Sequence, residues 1–554
     1  MFELRRWWLW LLLLTVACCA KPTAPTPGPV RQGVSKPEPV KLVADTRPLL
    51  ERPHVTLLVV TDWQATLKPC GCTVDLQKGG IERITKWVTD ARVADPSLLV
   101  VHAGSLLFDA ESQSSPAKQA QLLLRRQMFV QGLGRLGLAA AALSGWDLQQ
   151  GGSEVEKTYA DAAFDLTALG YRGALEKVVP ALLKTTSSGV KVGLLGTDPA
   201  WLPTDVPAQA KLVQQAVTDL HKQGAQAIVV LSNLGLRATR KLIREIKGID
   251  AVVIGQLDEK VEPLTDLDRE GDTLILHAAR HGAWFTAATL IPESGNGPWT
   301  EASEYLPSAV KDLQGRRDAL AQRLQQARER SMAGVEQAMP FYQAQLHDFD
   351  QRIAAARAVA GKAPPAGRLV AYQAVGLDWS SPVDPATAEM VRSYDAKAAE
   401  SAEKLAKEPV PPLPGQPRYV GQPACLDCHG EVHDFVAQDF HTQAWKTLEK
   451  VQKTKDLDCV ACHMTGWGKP GGSAFGNLET FKSVQCEACH GPGSAHIADQ
   501  QGKGPAAPLG KVTVATCKPC HSDVHSPRFA YDAYREHLLM PGHGKPQASK
   551  APKK

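Results

Sequence analysis

The feature that most constrains this 554-residue chain is a five-residue pattern repeated four times in its last quarter. It reads CLDCH (Cys425, Cys428, His429), CVACH (Cys459, Cys462, His463), CEACH (Cys486, Cys489, His490) and CKPCH (Cys517, Cys520, His521). Two thiols three residues apart on a helical turn reach the two vinyl groups of a haem. The histidine that follows then lies under the iron as proximal ligand. Pairs of C-x-x-C also build zinc sites, but zinc does not require a histidine after each pair. Histidine makes up only 16 of the 554 residues, so four chance placements have odds on the order of one in a million. The pattern predicts four covalently attached haems c.

Residues 418–544 hold all four motifs, with roughly thirty residues for each, and show little long apolar periodicity. Such a segment cannot build its own core. The porphyrins must supply most of the buried apolar surface, and the haem-free segment is expected not to fold. Six more histidines lie here (His433, His441, His496, His525, His537 and His543), so ten of the sixteen fall in this segment. They are the candidates for distal iron ligands. Met464 and Met540 are weaker candidates, because Met464 directly follows a proximal histidine and points elsewhere on its helix. Haems with two histidines sit at lower potential than those with Met and His.

The phrases YVGQPACLDCH, HTQAWKTL, CVACHMTGWGKPGG, VQCEACHGPGSAH and CKPCHSDVHSPRFAYDAY resemble the tetrahaem cytochrome c-554 family over about residues 417–544. The resemblance implies His441 and His496 as distal ligands. It implies His543, in PGHG, more weakly, because the tail beyond Tyr534 departs from the family pattern. It also implies electron transfer between periplasmic redox enzymes, with one haem left five-coordinate in some members.

Upstream, apolar β-rich runs at 54–60, 97–103, 190–196, 226–232, 250–255, 272–277 and 285–291 alternate with helical patterns at 79–93, 116–136, 154–170, 207–223 and 236–246. This predicts an α/β layered domain over 51–295. Its landmarks TDWQ, HAGSLLFD, LSGWDLQQG, LSNLG and IGQLDE resemble the metallophosphatase domain of the 5'-nucleotidase family, a layered β-sandwich with flanking helices. In that family the strand ends hold two divalent metals that activate water for phosphate ester hydrolysis. Here Asp62 remains, while Gln64, Ser105, Gly145, Trp146, Asn233, Gln256 and Asp258 stand where His, Asp, Asn or Glu would be expected. One carboxylate, a few amides and a serine do not offset two dications. Asp109, Asp147 and Asp258 are the residues that would have to compensate. The expectation is a retained fold with a degenerate metal site.

Just after the first strand, KPCGC places Cys70 and Cys72 one residue apart. Such a pair closes only a strained, easily reduced disulfide. It reads as a redox or soft-metal position, or else as a structural disulfide or bare thiols. Similar Cys-x-Cys pairs occur in a subgroup of nucleotidase-like proteins.

The remaining segments set the context. Arg5 and Arg6 precede an apolar run from Trp7 to Ala17, too short to span a bilayer (~20 residues) and suited to an export signal. LTVAC resembles a lipobox with Cys18 as the lipidated residue, although Thr15 stands where Leu is commonest; ordinary cleavage near Ala20 is the alternative. The expected organisation is then a signal over 1–20 and a proline-rich tether over 21–50. A helical connector over 305–407 follows the α/β domain, an antiparallel helical hairpin or a long helix broken at Pro340, with a short β segment at 367–382. A proline linker over 408–417 leads into the mostly helical and irregular multihaem domain (418–544), and a basic tail closes the chain at 545–554. The formal net charge of +4 gives no footprint for nucleic acid. The expected function is an exported cytochrome at the periplasm or outer membrane, passing electrons to redox partner proteins of the cell envelope. The alternative is an enzyme, either a five-coordinate haem acting on a small nitrogen or sulfur oxyanion or a still active phosphoesterase.

Overall fold

The computed structural model describes residues 49–69, 78–109, 115–256, 267–293, 297–329, 335–522, 526, 529–541 and 543–545. The signal, Cys18, the tether, Cys70, Cys72, Asp258, His525 and most of the basic tail lie outside these residues. Among the described residues no helix is long and apolar enough to cross a membrane.

Strand β1 (Val55–Thr61) is buried at every position, as a strand covered on both faces should be. It pairs in parallel with β2 (Leu98–Ala103), which is joined to it through α1 (Ile81–Ala94). Helix α2 (Pro116–Leu136) starts where the sequence signals it. Ser115 caps the amide of Lys118, Pro116 sits in the first turn, and Gly137 closes the end with a left-handed φ of 69°. The chain then runs through β3 (Leu138–Ala142), α3 (Gly145–Ala160), β4 (Asp165–Thr167), β5 (Val178–Val179), β6 (Leu182–Thr185) and β7 (Lys191–Thr197). Next come α4 (Val206–Lys222), β8 (Ala227–Ser232), α5 (Leu236–Ile243), β9 (Ala251–Ile254), β10 (Asp268–Glu270), β11 (Thr273–Leu276), β12 (Trp284–Ile291) and β13 (Thr300–Glu301).

The strands form two sheets. With β14 (Leu369–Gly376), the first has the order β13-β14-β12-β1-β2-β3-β4-β5 and the second β10-β11-β9-β8-β7-β6. Their facing sides share one apolar cluster that includes Leu57, Val59, Val101, Leu194, Val229 and Val253. A second cluster lies beneath α4 and α5 on the outer face of the second sheet. The result is a helix–sheet–sheet–helix arrangement, the α/β class expected.

Three expectations are corrected. The helical pattern at 154–170 is a helix that ends at Ala160, because Asp165–Thr167 is needed as β4 beside β3. The β segment of the connector pairs along its whole length with β12 and so belongs to the first sheet. The connector is the helical hairpin that was one of its two expected forms, α6 (Ala309–Glu329) packed on α7 (Val335–Val359), but the expected break at Pro340 is not there, and Pro340 lies inside α7. It stands just past the first turn, where losing its N–H removes only one i→i−4 bond. Helix α8 (Pro385–Leu405), capped by Asp384, packs on α2. Beyond it the described residues form short helices, α9 (Gln422–Leu426), α10 (His433–Gln438), α11 (Ala444–Lys450), α12 (Leu457–His463), α13 (Leu478–Phe481), α14 (Cys486–His490), α15 (Ser494–Gln500), α16 (Val514–Cys517) and α17 (Tyr531–Leu538), and one short strand pair of Met540–Pro541 with Gly544–Lys545.

Candidate functional site

The second and third C-x-x-C-H motifs lie in α12 and α14, which end at their histidines; the first and fourth start in the last residues of α9 and α16 and run on as a turn, with the His429 and His521 amides donating to Cys425 O (3.0 Å) and Cys517 O (2.9 Å). Glu487, inside the third motif, ties two of these turns together. It is 3% exposed, and its carboxylate accepts from the amides of Val420 (2.9 Å), Gly421 (2.8 Å) and Gly493 (2.7 Å). A buried carboxylate satisfied by three backbone donors is stable where an unpaired one would not be.

All eight motif cysteines are unbridged. Together with His429, His463, His490, His521, His441, His496 and His543 they line one cavity of about 3570 Å³. Cys425 lies within hydrogen-bond reach of Cys486, and Cys462 of Cys520. The first motif therefore adjoins the third, and the second adjoins the fourth. His537 also lines the cavity, whereas His433 is exposed and outside it. Met464 is 3% exposed within an apolar cluster, in keeping with its expected orientation.

The histidines come in facing pairs. Ring centroids are 6.4 Å apart for His429 and His496, 6.2 Å for His441 and His521, and 6.3 Å for His490 and His543. In each pair one ring follows a C-x-x-C and the other is distant in sequence. Several of these rings have Nδ1 engaged. His543 Nδ1 is 2.7 Å from Leu538 O, His521 Nδ1 is 3.0 Å from Ser526 Oγ, and His441 Nδ1 is 3.3 Å from Asp439 Oδ2. His463 Nδ1 lies 2.8 Å from Ala444 O. Engaging Nδ1 in this way fixes the tautomer that leaves Nε2 for a metal. Burial, with His441 nearby, pushes His521 below its ordinary value and favours the neutral ligating form. Among the described residues no second histidine ring faces His463.

One side of this cavity belongs to the α/β region, a junction the sequence reading missed. Asp456 and Asp458 flank the start of α12, directly before Cys459. Lys68 pairs with Asp395 and with Asp456 (3.0 Å), and Lys453 pairs with Asp395 (2.6 Å). Asp458 accepts from Lys118, Gln121 (3.0 Å) and Arg125 (3.1 Å) of α2, while Gln121 Oε1 accepts from the Leu457 amide (3.0 Å). Burial works against the Lys68 charge, but Asp456 and Asp395 outweigh it and hold the ammonium above its ordinary range. The available signal was the doubled aspartate in KDLDC, two acidic residues at the start of a motif helix, although Lys453 and Lys455 stand beside them in sequence.

The pocket expected to retain a metal-site remnant lies at the C-terminal end of β1. Asp62 Oδ1 accepts from the Ser105 amide (3.0 Å) and Oδ2 from the Gln256 amide (2.7 Å). A Cβ on Gly104, whose φ is 96°, would overlap the Asp62 carboxylate, so backbone fills that space. Asp147, a candidate to compensate, is fully buried. It accepts from the amides of Leu106, Leu107 and Phe108 and from Ser105 Oγ and Tyr159 OH, at 2.7–3.1 Å. Burial nevertheless pushes its carboxyl upward. Asn233 donates to Leu143 O (3.1 Å) and Asp198 (3.0 Å) and accepts from the Gly104 amide (2.6 Å). These side chains are spent on protein partners. Among the described residues no group of three His, Cys, Asp or Glu converges to hold a metal ion.

Comparison with known proteins follows the same division. Residues 424–491 match the family model described as cytochrome c554 and c-prime. The chain is 31% identical over 104 residues to cytochrome c-554 of Nitrosomonas europaea, an alignment covering 16% of this chain and 44% of that protein's length. By structure, it is similar to a 5'-nucleotidase precursor from Thermus thermophilus (TM-score 0.40, 16% identity, 67% of this chain and 63% of that one). It is also similar to the calcineurin-like phosphoesterase YfkN from Bacillus subtilis (TM-score 0.33, 17% identity, 45% and 88%). Residues 424–491 thus form a segment similar to the cytochromes c554, and cytochromes c of that kind hold haem covalently.

Proposed function

We propose that the chain is a tetrahaem electron-transfer protein of the cell envelope, with thioethers at Cys425/Cys428, Cys459/Cys462, Cys486/Cys489 and Cys517/Cys520. The observation that carries this reading is the centroid spacing of the three histidine pairs, 6.2–6.4 Å. An iron between two imidazoles needs a metal–nitrogen bond of about 2 Å on each side, plus about 1 Å from nitrogen to ring centre. That totals about 6 Å. His496, His441 and His543 would then be the second ligands of the irons held by His429, His521 and His490. Bound haem supplies the one-electron chemistry. The protein supplies the ligands, the second-shell bonds to Nδ1 and the adjacency of the first motif to the third and of the second to the fourth, which lets electrons pass between neighbours. His463 would hold the fourth haem.

In the same proposal the α/β region is not a hydrolase, because the Asp62 and Asp147 carboxylates are taken up by protein donors. The chain is exported and anchored through lipid on Cys18, and its partners are other redox proteins of the envelope.

The test is a haem count by intact mass together with electron paramagnetic resonance. About four haems are expected, at least three of them low-spin. His441→Ala, His496→Ala and His543→Ala should each convert one low-spin signal to high-spin. A colourless protein holding stoichiometric zinc would overturn the reading.

A further inference from the structure

Side chains of the α/β region converge on the three residues that open α12, the helix of the second motif. Gln121 of α2 is 1% exposed. Its Oε1 accepts from the first amide of that helix, Leu457 N (3.0 Å), while its Nε2 donates to Asp458 (3.0 Å). Asp458 also accepts from Lys118 and from Arg125 (3.1 Å), and Asp456 accepts from Lys68 (3.0 Å). Asp395 of α8 draws Lys68 and Lys453 to the same point. Ala117 of α2 joins the apolar cluster that holds Leu457 and Val460 of α12. Exposed ion pairs alone contribute little. A buried amide that caps the helix and an apolar contact beside it mark a fixed interface.

This interface sits at the point where the second motif would carry its porphyrin. Asp458 directly precedes Cys459, and His463 follows Cys459 by about one turn, or about 6 Å of helix rise. Lys68, Lys118 and Arg125 line the same cavity as Cys459, Cys462 and His463. A ferric haem that takes up one electron loses one positive charge. Cations close by therefore favour the reduced form and raise the potential, and carboxylates close by lower it. Partly buried charges are screened less than charges in open water, so the effect survives at this range. Asp456 and Asp458, which belong to the motif segment, act to lower the potential. The three cations that oppose them all come from the α/β region.

We propose that the α/β region serves as a built-in electrostatic wall for the haem of Cys459, Cys462 and His463, a role that rests on the tetrahaem reading above. Lys68, Lys118 and Arg125 hold that haem's potential above the value the C-terminal segment would give it alone. They are positioning residues, acting through Asp456 and Asp458 and through their own charge. The α/β region then has a task that needs neither a metal nor a substrate of its own.

The experiment is a redox titration of the intact holoprotein in low-salt buffer, followed by haem absorption and fitted as four one-electron steps. His463→Met, which introduces a ligand that raises the potential, marks the step that belongs to the second motif. Arg125→Gln and Lys118→Gln should each move that step to lower potential, and Asp458→Asn should move it to higher potential. The other three steps should move less, and Arg125→Lys should stay near the parent value. Lys118 is partly exposed, so Lys118→Gln decides the matter if Arg125→Gln does not fold. Exposed Arg244→Gln is the control that changes nothing. A purely structural role would move the marked step in one direction whichever charge is removed. Shifts of one sign in all three variants, or a marked step that stays in place, would overturn the wall. A haem count by intact mass on the same samples separates the two readings. Four haems with unmoved potentials would sink the wall alone, whereas absence of covalent haem would sink the cytochrome proposal and the wall with it.

Discussion

The two halves of the described chain are stabilised by different means. In the α/β region β1, β8 and β9 are buried at every position, and the two sheets press one continuous apolar cluster between them. In the C-terminal segment the apolar cluster is small. Trp445, Leu448, Leu457, Val460, Met464 and Phe481 form it, and Ala117 of α2 and Ala402 of α8 complete it. Where the rest of a core would lie there is the motif-lined cavity. One half is specified by the period of its apolar residues. The other is specified by the covalent chemistry of what fills it, with part of its protein core borrowed from its neighbour.

The largest effect should come from removing what fills the cavity. With all eight motif cysteines replaced by Ser, residues 418–544 should lose amide protection nearly to the level of an unfolded chain. Strands β1, β8 and β9 should stay protected. Hydrogen exchange read by segment makes the test, and a haem-free segment that keeps its protection would erase the contrast drawn here.

A smaller effect probes the opposite half. Phe285 is fully buried and meets Trp87 edge-on at 4.8 Å. Phe285→Ala should destabilise the α/β region by about 3–5 kcal/mol while leaving the haem spectrum of the folded protein unchanged. A changed spectrum in the folded variant would mean that the halves share more than the junction.

What could be read from the sequence follows the same division. Strands β1 and β8 were legible because burial on both faces demands unbroken apolar runs, and α2 because Ser115-Pro116 and Gly137 mark its ends. Strand β3 was not. Its sequence LAAAA favours helix by propensity, but Ala140 and Ala141 point to opposite faces of the sheet and are both fully buried, so packing on the two sides overrides that preference. The four motifs were legible because thioether chemistry fixes their spacing. The junction was invisible: Lys68 and Asp456 are 388 residues apart, and no local pattern links them. For Asp62 the sequence showed that its fellow ligands were gone, but not that backbone amides had taken its oxygens.

The smallest effect concerns the junction itself, where the two halves meet through charge. Asp458 lies in the first turn of α12, where the helix dipole also favours a negative charge. Burial works to raise its carboxyl, but Arg125 and Lys118 outweigh that and hold it down at about 2, against an ordinary 3.8. A depressed folded pKa means that the carboxylate contributes its full stabilisation above about pH 4. That contribution fades as pH falls toward 2, where folded and unfolded forms are both protonated. The side chain is 41% exposed, so solvent screens the pairs and the contribution should stay below about 1 kcal/mol. The measurement is the stability difference between the parent and Asp458→Asn as a function of pH, which cancels the other carboxylates. It should be constant from pH 7 to about 5, shrink between 4 and 2, and fall in 1 M salt. A difference that stays flat down to pH 2 would mean that Asp458 acts through packing and hydrogen bonding alone. The halves would then be joined by shape rather than by charge.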